Sequence, residues 1–390
     1  MHAPAVDRHD WAHAKWALLF GNFVIGCGVM VVSGTLNNLT QSLGVSVPVG
    51  GQLISVASVV MGLGAPLLAG LVAGWDRRKL LALAMLWYAV GHALCAWAPD
   101  YATLLPIRAA TMLSAAVFTP QAAAAAGFVA RPEQRGRAIT FVFLGWSLAS
   151  VLGMPIATWV GEHFGWRVAM NAIAAASLLS AWAVHSFVPP GVKPPSVPLS
   201  AWREVLTHPV LMAVVLVTAL QSAGQITVLA YAAPYFKQVL HASPEQISLL
   251  YGWLGACGFT GNVLLSRHVD RIGPARVVAI TLMLIAVSQL LWPMAESVAM
   301  LAVVLIPWGL GNFATNSAQQ ARLGSLLPAL APALLALNTS AIYLGQAAGA
   351  AGGGALLATE GFGALHWAGL AWILSAWTLS RWAARRQHQA

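Results

Sequence analysis

Twelve apolar runs, each about long enough to cross a bilayer as a helix, follow one another through almost all of this 390-residue chain. A spanning helix needs about 20 apolar residues to pass a hydrocarbon core ~30 Å thick. The runs fall at 14–37, 50–73, 79–98, 101–128, 137–160 and 166–187, then at 209–236, 244–266, 273–294, 296–319, 328–358 and 362–384. Only 8% of the residues are charged and 59% are hydrophobic, whereas a soluble domain carries about 25% charged residues. The pattern predicts an all-α integral membrane protein.

The basic residues set the orientation. With both termini on one side, seventeen of the twenty Lys and Arg fall in segments on that side, Arg322 among them, and only Arg167 and Lys237 on the other. Cytoplasmic loops carry such an excess, so both termini are expected in the cytoplasm. The net charge of +9 is then a topological signal, and no nucleic-acid partner is implied. Between the sixth and seventh runs lies "VPPGVKPPSVPLSAWREVLTH", 188–208, proline-rich and longer than any other loop. It reads as a cytoplasmic linker between a bundle at 1–187 and a second at 209–390.

The halves repeat. "GLVAGWDRRKLL" after the second run is matched by "LLSRHVDRIGPARVV" after the eighth, at a shift of 197. Gly145, Ala149 and Gly153 in the fifth run reappear as Gly345, Gly349 and Gly353 in the eleventh, at a shift of 200. Small residues four apart share one helix face and let membrane helices pack closely. Two pseudo-symmetric six-helix bundles are the architecture of a class of secondary transporters with a midplane site between the halves.

These segments resemble the major facilitator superfamily, in particular its twelve-span efflux branch of drug, sugar and purine exporters. The loop after span two has the family pattern G-x-x-x-D-R-x-G-R-R, and "SRHVDRIG" matches it through Asp270, Arg271 and Gly273, with Arg276 beyond. The first-half copy keeps Arg77 and Arg78, but Ala73 stands at the acidic position and Asp76 where glycine is usual. The resemblance implies that these loops gate the cytoplasmic face. "GWSLASVLGMPIATWVGEHFGWR", with Gly153 and Pro155, is similar to the antiporter signature of span five, which implies export and proton exchange. The branch acts as a multi-pass protein of a bacterial-type inner membrane, here expected to be a monomer without cofactor or metal.

Arg108, in "LLPIRAATMLSAAVF", matches the arginine that opens the family's span-four signature. It lies about 10 Å into its helix, where a charge is costly. Two accounts are open: a strut bonded to carbonyls of span one, or a cavity residue meeting an acceptor on the solute. All eleven Asp and Glu fall in tails, loops or outermost turns. A buried cationic solute would need a carboxylate, so a neutral or anionic polar solute fits better: a sugar, a nucleobase or nucleoside, a neutral drug. Among possible proton carriers only His92 and His185 are expected to be buried.

Other polar groups could line a cavity. Gln221 and Gln225 are one helical turn apart in span seven; Trp308, Asn312, Asn316 and Gln320 form a stripe in span ten; Asn338, Tyr343 and Gln346 follow in span eleven. Amides at such spacing can bond a hydroxylated or heteroaromatic solute, with Trp308 or Tyr343 stacking on it. Bonding between helices is the competing role for each. An uncoupled facilitator and a multidrug pump are the alternatives. An intramembrane enzyme is remote, for no nucleophile-base pair or buried acid appears at membrane depth.

Overall fold

The computed structural model describes residues 8–130, 134–194, 199–266, 268–327 and 330–387. Among these every regular element is helical: α1 (Arg8–Leu43), α2 (Val47–Leu71), α3 (Arg77–Trp97), α4 (Tyr101–Val129), α5 (Arg135–Leu148), α6 (Met154–Phe164), α7 (Trp166–Phe187), α8 (Leu199–Thr207), α9 (Pro209–Leu229), α10 (Ala232–Gln238), α11 (Pro244–Ser266), α12 (Val269–Ile272), α13 (Pro274–Leu291), α14 (Val298–Leu326), α15 (Ala331–Glu360) and α16 (Leu365–Gln387). Eleven helical segments have the length and hydropathy of a span. The twelfth spanning helix is α16, whose four tryptophans, His366 and Arg381 dilute its hydropathy.

Two of the acidic side chains, Asp76 and Asp100, cap helix starts. Asp76 accepts from the backbone N–H of Arg78 at 2.9 Å, and Asp100 from that of Thr103 at 2.8 Å. Each satisfies a donor that the first helical turn leaves without a partner.

The fifth span is not one regular helix. Between α5 and α6, Ala149–Gly153 form a π-helical turn, and Met154 donates its N–H to Ala149 O five residues back. Pro155 has no N–H to give the preceding turn, so the widened turn rearranges the bonding around it.

The chain packs as two units, one of Met1–Val45 with Leu63–Ser196 and one of Ser46–Gly62 with Val197–Ala390. In the first, α1 is surrounded by α4, α5, α6 and α7. A side chain at Gly145 would strike Leu19 O, and one at Gly153 the Cys27 thiol; Ala149 in turn faces Gly26. In the second, α9 lies along α15 and α16. There, side chains at Gly345, Gly349 and Gly353 would strike the carbonyls of Ala219, Ala223 and Thr227. The 200-residue shift read from the glycines holds for the helix opposite as well: Leu19 becomes Ala219 and Cys27 becomes Thr227.

Three expectations change. Residues 199–207 of the proline-rich segment are helical, as α8. His185 is exposed on α7 instead of buried. Arg322 belongs to α14, which runs on to Leu326, and it is buried, donating to Ser380 Oγ at 3.0 Å and to Ser380 O at 3.4 Å. Serine hydroxyl and carbonyl oxygens give this guanidinium acceptors inside the bundle, so it need not reach a loop.

Candidate functional site

Arg108 lies two turns into α4 and is 1% exposed. Its Nη2 donates to Gly28 O at 2.7 Å and Val29 O at 3.3 Å, both on α1. Its Nη1 lies 3.2 Å from His92 Nε2 on α3. His92 Nδ1 is 2.9 Å from Tyr88 O. A carbonyl only accepts, so Nδ1 carries the proton and Nε2 accepts from the guanidinium, which requires a neutral ring. A Cβ at Gly28 would collide with the Tyr88 hydroxyl and the His92 ring. Glycine there is what admits these side chains to α1. The charge is met by carbonyl dipoles and an imidazole, and Arg108 Nε has no partner among the described residues.

In the second unit, Trp308 Nε1 donates to Gln225 Oε1 at 3.0 Å, which ties α14 to α9. The backbone around Trp308 is repaired from outside. Pro307 interrupts α14, and the Trp308 N–H donates at 2.8 Å to Ser288 Oγ of α13, whose hydroxyl donates onward to Val304 O at 2.5 Å. A side chain from a neighbouring helix thus closes a ladder that proline disturbs, as spanning helices require. Trp308 is fully buried, its ring 5.9 Å from that of Trp292. Tyr343 is buried too.

Gln221 lies one turn before Gln225 on the same face of α9 and is buried. Asn312, Asn316 and Gln346 are half-buried. No side-chain hydrogen bond joins Gln221, Asn312 or Gln346 to another described residue, and Asn316 Oδ1 is buried with no partner among them. The structure therefore unites Gln225 with Trp308 and leaves other amide groups unengaged.

A second polar cluster takes in Asn338, expected as a possible cavity group, together with Gln319 and Thr218, which the sequence did not single out. Gln319 donates to Val214 O at 2.9 Å and to Thr218 Oγ1 at 3.0 Å, and Thr218 donates to Asn338 Oδ1 at 2.6 Å. Its counterpart in the first unit is Asn22, which donates to Val142 O at 3.1 Å and accepts from Thr119 Oγ1 at 2.8 Å. Thr119 and Gln319 are again 200 apart, a shift that could have drawn attention to both.

The loop residues divide by half. Asp76 accepts from the N–H groups of Arg78, Lys79 and Gly191. Arg77 is buried and donates to Trp75 O at 2.7 Å and Val72 O at 3.1 Å, and its N–H donates to Val192 O at 2.9 Å. Arg78 is half-buried. In the second half Arg271 and Arg276 are exposed, and Gly273 adopts φ +90° to turn the chain into α13. The side chain of Asp270 lies outside the described residues.

The family model described as the Major Facilitator Superfamily matches residues 18–350 and 215–388. The chain belongs to that superfamily. Among curated relatives of this superfamily member, the inner membrane transport protein YdhP of Escherichia coli K12 is 29% identical over 341 residues, covering 87% of this chain and 88% of the relative. The uncharacterized MFS-type transporter YbcL of Bacillus subtilis is 26% identical, covering 91% of each. The fold is shared with a bacterial homologue of the human lysosomal transporter Spinster, in an inward-facing and unoccupied conformation, at TM-score 0.76 and 15% identity, covering 97% of this chain and 98% of that one. It is also shared with a peptide transporter, POT, at TM-score 0.77 and 13% identity, covering 95% of each. This is a multi-pass membrane transporter of the major facilitator superfamily, not an enzyme.

Proposed function

We propose that this transporter exports a small neutral or anionic polar solute, such as a sugar, a nucleobase or nucleoside, or a neutral drug, by alternating access in exchange for protons, the coupling being carried over from the family. The observation that carries the solute class is where the acids are. Every carboxylate whose side chain is described, Asp76, Asp100, Glu162, Glu204, Glu245, Glu296 and Glu360, sits at a helix end, in a loop or on the short helix α8. A desolvated cation would meet no opposite charge among them. The recognition groups are the amides of α9, α14 and α15: Gln221, Asn312 and Gln346, which have donors and acceptors to spare, with Gln225, Asn316, Trp308 and Tyr343 shaping their surroundings. To Arg108 we assign the ordering of α1 against α4, because carbonyls of α1 already hold its Nη2.

Efflux from cells expressing the protein, screened against sugars, nucleobases, amphenicol-like neutral drugs and organic cations, tests this reading. Transport confined to the cations would overturn it. An uncoupled facilitator is the second reading. It is favoured by the scarcity of titratable groups at depth, where His92 is already held between Tyr88 O and Arg108. Collapsing the proton gradient with an ionophore separates the two, since a facilitator keeps its downhill flux.

A further inference from the structure

Away from these polar groups, the second unit carries a groove of about 510 Å³ between α13 and α16. Ile280, Met283 and Val287 of α13 and Trp377 of α16 line it, with Arg276 and Arg381. Residues 276, 280, 283 and 287 stand at i, i+4, i+7 and i+11, which is one helix face. From Arg276 to Val287 that face runs about 16 Å, close to half of a ~30 Å hydrocarbon core. Ile280, Met283 and Val287 are 46%, 40% and 39% exposed, so this stripe is open along a full leaflet depth.

The two arginines share one end. Gly369 of α16 lies against Gln289 near the far end of α13, while Trp377 and Arg381 join Arg276 at its start. The helices are therefore antiparallel, and residue 276 stands beside the end of α16 that carries Arg381. The Arg381 guanidinium is 5.7 Å from the centre of the Trp377 ring, which orients it over the groove wall. Among the described residues, no carboxylate lines the groove.

We propose that this groove binds one anionic phospholipid, its phosphate held by Arg276 and Arg381 and one acyl chain lying along α13. Each part of the site needs a different part of that molecule. A free anion has no use for 16 Å of apolar wall. A zwitterionic lipid brings its own cation beside the phosphate and so offsets the attraction of two guanidinium groups, and basic pockets beside spanning helices characteristically take anionic head groups. The proposal is independent of which solute the protein carries.

The full-length protein, purified in detergent, is titrated with phosphatidylglycerol or phosphatidylcholine and read by native mass spectrometry and by its unfolding temperature. Phosphatidylglycerol should be retained preferentially and raise the unfolding temperature. Arg276→Gln and Arg381→Gln should each weaken retention about fivefold and together about twenty-fivefold. Met283→Trp fills the groove without changing charge and should displace the lipid as well. All three positions are exposed, so these variants should elute as the wild type does. Equal retention of phosphatidylglycerol by the double arginine variant would overturn the proposal. So would wild-type retention by Met283→Trp, which would reduce the effect to general attraction at a basic surface. Stabilisation by inorganic phosphate equal to that by phosphatidylglycerol would make this an anion site and not a lipid site.

Discussion

Arg108 and Trp308, two hundred residues apart in sequence, each tie three corresponding helices in their respective bundles. Arg108 reaches from α4 to Gly28 on α1 and His92 on α3. Trp308 reaches from α14 to Gln225 on α9 and, through its backbone N–H, to Ser288 on α13. The duplicated architecture keeps a tie at this position while changing its chemistry from a cation on carbonyls to an indole on an amide.

Arg108→Ala should therefore act on the bundle before it acts on any solute. Hydrogen bonds from a charged donor contribute about 1.5–3 kcal/mol each, so a loss of about 2 kcal/mol is expected in detergent unfolding. Arg108→Lys should recover part of it, since an ammonium can still reach one carbonyl. A fully stable Arg108→Ala protein without transport would return this residue to the solute path.

Ser288→Ala removes the hydroxyl that bridges Trp308 N–H and Val304 O. Leaving a buried donor unmet costs about 1–3 kcal/mol, and Ser288→Thr should restore most of it. Thermal unfolding of the two variants side by side measures this. Equal stability of both to wild type would show that the ladder closes without the bridge.

Gly345→Leu should force α15 away from Ala219 O on α9. Overpacking of this kind costs typically about 1–3 kcal/mol, and the yield of monodisperse protein should fall sharply. Gly352→Leu is the control, because a side chain there meets nothing within 4 Å. Equal yields would contradict the close α9–α15 approach.

Asp76→Ala removes acceptors for three N–H groups, two on α3 and one at Gly191. Loss of such a cap costs about 1 kcal/mol. It should also release residues 189–194 from the α2–α3 loop, seen as faster limited proteolysis there. Cleavage at the wild-type rate would show that Arg77 N–H and Val192 O suffice.

At Asp100 the backbone N–H and hydroxyl of Thr103 hold the carboxyl below the usual aspartate range. A depressed folded-state pKa means that the stabilisation is present above the unfolded value and disappears as pH falls through the folded one. Asp100→Asn should accordingly be less stable than wild type at neutral pH, with the gap closing in acid below about pH 4. Measuring both unfolding temperatures across that range checks the sign.

The spans and the glycine faces were legible because each is written in side chains of one type at a fixed period. Gly145 and Gly345 announce close approach wherever they lie. The partners of Arg108 were not legible, because two of them are backbone oxygens at Gly28 and Val29, and every residue has one. Arg322 read as a loop charge for a related reason: only the packing of α16 supplies Ser380. The Gln319–Thr218–Asn338 cluster joins three helices, and no spacing within one helix predicts it.

What the sequence determined by itself was therefore the membrane, the helices and their duplication, since apolar length and local period act along the chain. Only the tertiary structure decided which polar groups bond one another and which keep free donors and acceptors. Inside an apolar bundle a hydrogen bond depends on angles and separations of about 3 Å, and these exist only once distant helices have come together.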